Sequence, residues 1–550
     1  MTKFVLALLV AFSSSHLIAA NRTSSSKNAP EASYVGNEVC ASCHRSIYQS
    51  YSKTSMFHAS GRATDGFRPA EFTLAKSDVH YRIYEQDGRV WLSFERPGDP
   101  MVRGKRELLY YIGSGRRGMT YLFAVDGYLF ESPVNWYGDR RVWDAAPAYQ
   151  EARQIPMNLP AFTSCLRCHV SGMHQPVSGT ENRYPSPAFT GAGVTCERCH
   201  GPGSSHVAGG PIVNPAKLSA ERRDEVCMQC HLEGKVSIER SARHAYDYKP
   251  GDELFDYIRY FVLNSRSGAS LGAVSQVEAF AQSKCRKKSG DAMSCTSCHD
   301  PHSEPQPSEK ISYYRQKCLA CHGVGFGAKH HPENPACTGC HMPASPSTDV
   351  AHTEVTDHRI PRDPKPSSNI PTSVETEFSL SLVPFPSSEP SDARDRALAW
   401  QRLSERGVPT AVSEAEPLLQ KALKEDPNDP DVLGALAYIR QEHGDLRPAR
   451  DLYQRALQHD PDAIDTRINL GVLEAKTGHL AEAVKLWQAV FEKAPYRSKV
   501  GLNLAYAFCE SHQSEQARDY TLRVLEFDPD QPGAKALLKN LASTPPKCGP

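Results

Sequence analysis

"TCERCHGPGSSHVAGG", residues 195–210, contains the unit that decides how the chain is read: Cys196-Glu197-Arg198-Cys199-His200, two cysteines at a spacing of three with a histidine directly behind them. The same unit occurs seven times. It is Cys40/Cys43/His44, Cys165/Cys168/His169, Cys196/Cys199/His200, Cys227/Cys230/His231, Cys295/Cys298/His299, Cys318/Cys321/His322 and Cys337/Cys340/His341. Fourteen of the 17 cysteines are used in this way.

The spacing has a chemical purpose. Two such thiols can add to both vinyl groups of one haem, and the next residue then places its imidazole beneath the iron as proximal ligand. Zinc ribbons do not require a histidine after every second cysteine, and disulfide frameworks have no use for one. The expectation is therefore seven covalently attached haems c. Glycines crowd the motifs because they let the backbone approach a flat macrocycle and turn sharply beside it.

Each iron has a second axial position. Outside the motifs the haem-bearing region offers His58, His80, His174, His206, His244, His302, His330, His331, His352 and His358. Ten candidates for seven irons point to mostly bis-histidine ligation. His58, His174, His206, His244, His302, His352 and His358 form the expected ligand set. His302 follows His299 by three residues, on the same side of that haem, so it can reach only a neighbouring one. His174 and His206 lie similarly close behind their own motifs. Met56 is a rival to His58.

The chain has 550 residues, enough for two or three domains. Its formal net charge is zero, which gives no case for a nucleic-acid partner. Haem propionates would make the loaded protein more acidic, and arginines in the first 350 residues could pair with them. Lys3, the apolar run "FVLALLVAF" and small residues near Ala20 read as a secretory signal over residues 1–20. No later stretch is long and apolar enough to span a bilayer. The mature protein is expected to be periplasmic or secreted.

Between His44 and Cys165, "HYRIYEQDGRVWLSF" and "TYLFAVDGYLFESPV" alternate in the manner of strands around Asp-Gly turns. They define a small β-rich insertion over about 71–137. "YIGSGRRGMTY", residues 111–121, puts three glycines and two arginines in one loop, open to a phosphate or propionate cradle as well as to a plain turn. The haem-bearing domain is expected over 34–360, mostly helix and loop, and a Pro/Ser-rich linker over 361–390. A 34-residue period then begins. Pro427, Pro461, Pro495 and Pro529 mark it, in phase with Ala415, Ala449, Ala483 and Ala517. This is the tetratricopeptide signature, giving an all-α solenoid of about four repeats and a capping helix over 391–541. Cys285, Cys509 and Cys548 fall outside the motifs, and Cys509 reads as a packed helical residue.

"YVGNEVCASCHRSIYQSYSKTSM", "VCMQCHLEG" and the doubled "SCTSCHDPHSE…CLACHG" resemble multihaem cytochromes of the c-552/c-554 type, here followed by tetratricopeptide repeats. The resemblance runs from about Tyr34 to Arg359 and implies electron transfer through close-packed bis-histidine haems. It leads to an exported electron carrier in which electrons hop between haems. Its partners would be redox proteins, with a protein or peptide ligand on the repeats. The alternative is a multihaem oxidoreductase acting on a small nitrogen or sulfur compound at one open iron. The Cys-x-x-Cys-Lys motif of multihaem nitrite reductases is missing from the sequence.

Overall fold

The computed structural model describes residues 33–548, apart from 156, 265–270, 363–380, 388–391 and 409. The expected signal at 1–20, and most of the expected linker, lie outside the described residues.

Both Asp-Gly pairs form tight turns. Asp87 and Gly88 have φ of 53° and 70°, and Asp126 and Gly127 have 52° and 82°. Positive φ at both central residues is the turn that matches strand twist. The first joins β3 (Val79–Gln86) to β4 (Arg89–Arg96), and the second joins β6 (Gly118–Val125) to β7 (Tyr128–Tyr137). With β1 (Ser60–Arg62), β2 (Ala70–Leu74), β5 (Asp99–Ile112) and β8 (Val142–Ala145) they make one antiparallel sheet. Its order is β2 to β8 in sequence, with β1 added beside β5. Alternate residues fill the core: Val79, Tyr81 and Ile83 from β3, and Val90, Leu92 and Phe94 from β4. The sheet runs past the expected 71–137 at both ends. β1 and β8 are too short to show alternation, and pairing with a long neighbour creates them.

A second difference falls in the expected linker. Ser381–Phe385 is a strand that pairs with Ile258–Asn264, which pairs in turn with Val236–Glu239. "SLVPF" is a short apolar run inside Pro/Ser-rich sequence, and its partner lies more than a hundred residues upstream.

Residues 393–541 are all-helical, in antiparallel pairs: Ala393–Glu405 with Ala411–Glu425, Pro430–Glu442 with Leu446–His459, Ile464–Lys476 with Leu480–Lys493, and Ser498–Glu510 with Ser514–Phe527. Pro532–Leu541 closes the row. The in-phase alanines 415, 449, 483 and 517 are fully buried, where only a methyl group fits between crossing helices. Gly444, Gly478 and His512 turn the chain between paired helices with φ of 85°, 86° and 61°.

One edge of this solenoid is bolted to the rest of the chain. Tyr496 and Phe527 pack against Tyr128 and Phe130 of β7 at ring separations of 5.6–6.2 Å. The Asp530 carboxylate accepts from Arg96 at 2.7 and 2.5 Å, from the Ile155 N–H at 3.0 Å and from Lys535 at 2.7 Å. Glu181 accepts from Tyr496 and Arg497 at 2.5 and 2.7 Å. At the opposite end Arg240 pairs with Asp392 and Asp395, and Arg402 donates to the Ser237 carbonyl at 2.9 Å. Tyr496 and Asp530 directly follow a periodic proline and Arg497 lies two residues after one, so the inter-repeat turns are what dock.

Cys509 does not simply pack in its helix; it forms a disulfide with Cys548. The bridge pins the tail that follows Pro532–Leu541. Cys548→Ser is expected to lower stability by about 2–4 kcal/mol. Thermal unfolding should place the variant beside the reduced wild type, with no further loss on adding dithiothreitol.

Candidate haem-binding cavity

Each motif occupies about one helical turn. In Asn37–Cys43 and Glu197–His200 the histidine N–H bonds back to the first cysteine carbonyl, at 2.9 Å for His44 to Cys40 and 3.0 Å for His200 to Cys196. His299 repeats this with Cys295 at 3.0 Å. A helical turn brings positions i, i+3 and i+4 to one face, so both thiols and the imidazole point the same way.

That common direction is a single cavity of about 5400 Å³. An ordinary ligand pocket holds ~300–1,000 Å³. Among the described residues its wall includes thirteen of the fourteen motif cysteines, all seven motif histidines, and His206, His302, His330 and His358. Sixteen lysines and arginines line it against nine carboxylates. Val39, Ile47, Val207 and Phe326 are large exposed apolar side chains that also line it, as a flat hydrophobic macrocycle requires.

The histidines stand in facing pairs. Ring centres are 6.4 Å apart for His44 and His206, 6.0 Å for His200 and His302, 6.3 Å for His299 and His358, and 5.9 Å for His341 and His330. With metal–nitrogen bonds of ~2 Å and ~1.1 Å from nitrogen to ring centre, two imidazoles on one metal stand ~6 Å apart. The other ring nitrogens are engaged behind. Nδ1 donates to a backbone carbonyl from His200 (Val213, 2.8 Å), His206 (Gly210, 3.1 Å), His341 (Pro361, 2.9 Å) and His358 (Thr356, 2.9 Å). A carbonyl only accepts, so Nδ1 carries the proton and Nε2 keeps its lone pair for a metal. Burial pushes the pKa of His200, His231, His299 and His358 down, which favours the neutral, ligating form.

Four residues of the expected ligand set are not on this wall: His58, His174, His244 and His352. His58 spends Nε2 on the Ser52 carbonyl at 2.8 Å, and His352 spends Nε2 on Asp144 at 2.7 Å. His244 turns Nδ1 to Glu239 at 3.2 Å, and the backbone N–H of His174 donates to the Ala188 carbonyl at 3.0 Å. His330 is the converse case. It was one candidate of ten and outside the expected set, yet it faces His341. The only signal was its place seven residues before Cys337. His169, His231 and His322 have no facing histidine ring among the described residues.

The motifs are also braced to one another. The buried Glu197 carboxylate accepts N–H groups from Val35, Gly36 and Gly203 at 2.7–2.9 Å, tying the first motif to the third. Arg167 donates to the Gln229 carbonyl at 2.6 Å, and Arg198 to the Arg167 carbonyl at 2.9 Å, tying together the second, third and fourth. Thiols meet between motifs as well: Cys40 with Cys196, Cys168 with Cys230, Cys227 with Cys295, and Cys318 with Cys337. Cys199 lies near Cys227, and Cys298 near Cys321. These contacts order the motifs as first, third, fourth, fifth, sixth, seventh, with the second branching from the fourth.

Comparison with known proteins agrees with this chemistry. The model of the family described as cytochrome c554 and c-prime matches residues 142–201, and a tetratricopeptide-repeat model matches residues 411–463. The multiheme cytochrome MtrA of Shewanella baltica (strain OS185) is 29% identical over 183 residues, covering 30% of this chain and 54% of MtrA. The C-type polyheme cytochrome OmcB of Geobacter sulfurreducens is 28% identical over 171 residues, 30% of this chain and 20% of OmcB. The chain thus spans about half of the first of these relatives and a fifth of the second. Solved structures similar to it include MamA (16% identity, TM-score 0.23, 25% of this chain and 80% of that one) and Pseudomonas aeruginosa PilF (26%, 0.24, 27% and 68%). No helix among the described residues is long and apolar enough to cross a membrane. The chain is thus similar to multihaem cytochromes over about a third of its length, and to tetratricopeptide repeats in the helical region that follows.

Proposed function

We propose that the chain is an exported electron carrier holding seven haems c in this cavity, with the repeats as a protein-docking element. The facing histidine pairs carry this reading, because they supply two axial nitrogens at four of the seven motifs. When bound, the haems supply one-electron redox chemistry. The fourteen motif cysteines fix their positions. His44, His169, His200, His231, His299, His322 and His341 are the proximal ligands. His206, His302, His358 and His330 are the distal ligands at the first, third, fifth and seventh motifs. The Nδ1 bonds hold His200, His206, His341 and His358 in the tautomer that leaves Nε2 free. The Cys509–Cys548 disulfide fits an oxidising compartment, in line with an export signal at 1–20. The test is a haem-to-protein ratio of seven from the pyridine haemochrome spectrum, and a ratio of four or fewer would sink the reading.

The second reading, an oxidoreductase of a small nitrogen or sulfur compound, draws on His169, His231 and His322. One of these motifs would hold an iron with an open distal side. EPR of the oxidised holoprotein separates the two, since an all-low-spin spectrum leaves no open iron. His302→Ala is expected to convert one haem, that of the third motif, from low to high spin while the haem ratio stays at seven.

A further inference from the structure

Two buried carboxylates stand two residues apart where the solenoid meets the sheet, and their surroundings differ sharply. Asp530 is matched by Arg96, Lys535 and the Ile155 N–H, as described above. Asp528 is 6% exposed, and its hydrogen-bond donor is a neutral hydroxyl, Ser498 Oγ at 3.0 Å. Among the described residues no cation pairs with Asp528.

That hydroxyl belongs to the docking contact. Ser498 Oγ accepts from Asn158 Nδ2 at 3.0 Å, and the same amide donates to the Tyr496 carbonyl at 2.9 Å. Ile155, three residues earlier, gives its N–H to Asp530 at 3.0 Å. Residues 155–158 are therefore seated on the solenoid by both acids, by one directly and by the other through Ser498. Phe527, the neighbour of Asp528, packs edge-on against Tyr128 and Phe130 of β7.

A carboxylate in this position is costly to ionise. It has left water, it holds one neutral hydrogen bond, and it faces the negative charge of Asp530. The other groups around it do not offset this. Lys535, on Pro532–Leu541, is engaged with Asp530 and Asp99 at 2.7 and 2.8 Å. Tyr149, in the turn Pro147–Tyr149, is a phenol that burial keeps neutral. Burial pushes the Asp528 carboxyl up to about 7, against the pull of the Ser498 hydroxyl and Lys535 and with the push of Asp530. An unfolded aspartate titrates at about 4. The folded chain thus holds this proton the more tightly. The stability that the neutral acid contributes is complete below about pH 4 and is lost as pH rises toward the folded value.

We propose that Asp528 makes the seating of the sheet on the solenoid pH-sensitive: the neutral acid holds residues 155–158 in place, and its ionisation loosens them while Asp530 stays paired. The two acids act with opposite sign. Asp530 secures the junction once it is charged, and Asp528 secures it only while it is not, so the contact is tightest in mildly acidic solution.

The test is amide hydrogen exchange of the full holoprotein at Ile155, corrected for the intrinsic rise of exchange with pH, because exchange reads local opening. Between about pH 5 and pH 7 the wild-type protection is expected to fall about tenfold for each pH unit, the slope of one proton. Asp528→Asn keeps the shape and accepts the Ser498 bond without a charge, so its protection should stay level. Ser498→Ala removes the bond that favours the ionised form, so its fall should continue to higher pH than in the wild type. This second variant reads the same proton if Asp528→Asn does not fold. Protection that falls in parallel in the wild type and Asp528→Asn would overturn the assignment. So would a wild-type protection that is constant over this range, or a Ser498→Ala profile identical to that of the wild type.

Discussion

Asp530→Ala lowers the stability of the chain by about 3–5 kcal/mol, as removal of one partner from a buried ion pair does. Asp530 is 1% exposed and accepts from two cations and a backbone N–H. The alanine leaves Arg96 and Lys535 to share Asp99 as their remaining carboxylate, at 3.7 and 2.8 Å, and strips the Ile155 N–H of its acceptor. The measurement is the denaturant midpoint at unchanged slope, and a shift within ~0.5 kcal/mol, the range of an ordinary surface substitution, would show that the contact is not load-sharing. The pH dependence has a definite sign. Burial pushes the Asp530 carboxyl up, but the bonds from Arg96 and Lys535 outweigh burial and hold it below its ordinary value. Its contribution is therefore complete above the unfolded value of about 4 and is lost as pH falls through the lower folded value. The alanine variant should show a flatter acid limb than the wild type. Cutting the chain after Asp392 is the extreme form of the same experiment. It bares Tyr128 and Phe130, so the sheet should aggregate or lose protease resistance, and partner capture has to be tested with the solenoid in place.

Cys227→Ala/Cys230→Ala should cost more than one haem. The fourth motif meets the second, third and fifth through its thiols, and its helix Ala220–His231 carries Gln229, which the Arg167 brace holds. Without that attachment the walls of three other sites lose a neighbour. The expected ratio falls below six, with poor recovery of folded protein. Cys337→Ala/Cys340→Ala, at the end of the series, should give six haems and a stable chain. Equal ratios for the two variants would contradict the branched order of motifs.

Local rules made part of this legible from sequence. Asp87-Gly88 and Asp126-Gly127 gave two hairpins because the turn chemistry sits within two residues. The buried alanines 415, 449, 483 and 517 gave the solenoid because its packing repeats every 34 residues. β1, β8 and the strand Ser381–Phe385 were hidden because their partners, not their own residues, make them strands. The docking of Tyr496 and Asp530 on the sheet spans hundreds of residues and leaves no periodic trace. At the site, the seven motif histidines were legible as candidates because each follows its cysteines directly, and all seven line the cavity. The facing histidines were not, since His58 and His330 look equally available until one sees that the Ser52 carbonyl takes Nε2 of His58 while the His330 ring faces His341.

The disulfide at Cys509–Cys548 also constrains how the chain can mature. On the haem reading proposed above, those two sulfurs are oxidised while fourteen others stay reduced until each has met a vinyl group. An oxidant able to close the first pair attacks any exposed Cys-x-x-Cys as well, because exchange follows thiolate access. Cys43, Cys321 and Cys340 are the exposed motif thiols. The first and the last two attachment sites are therefore where premature disulfides compete with haem insertion. On that reading, assembly calls for a reductant at those ends before the tail is locked.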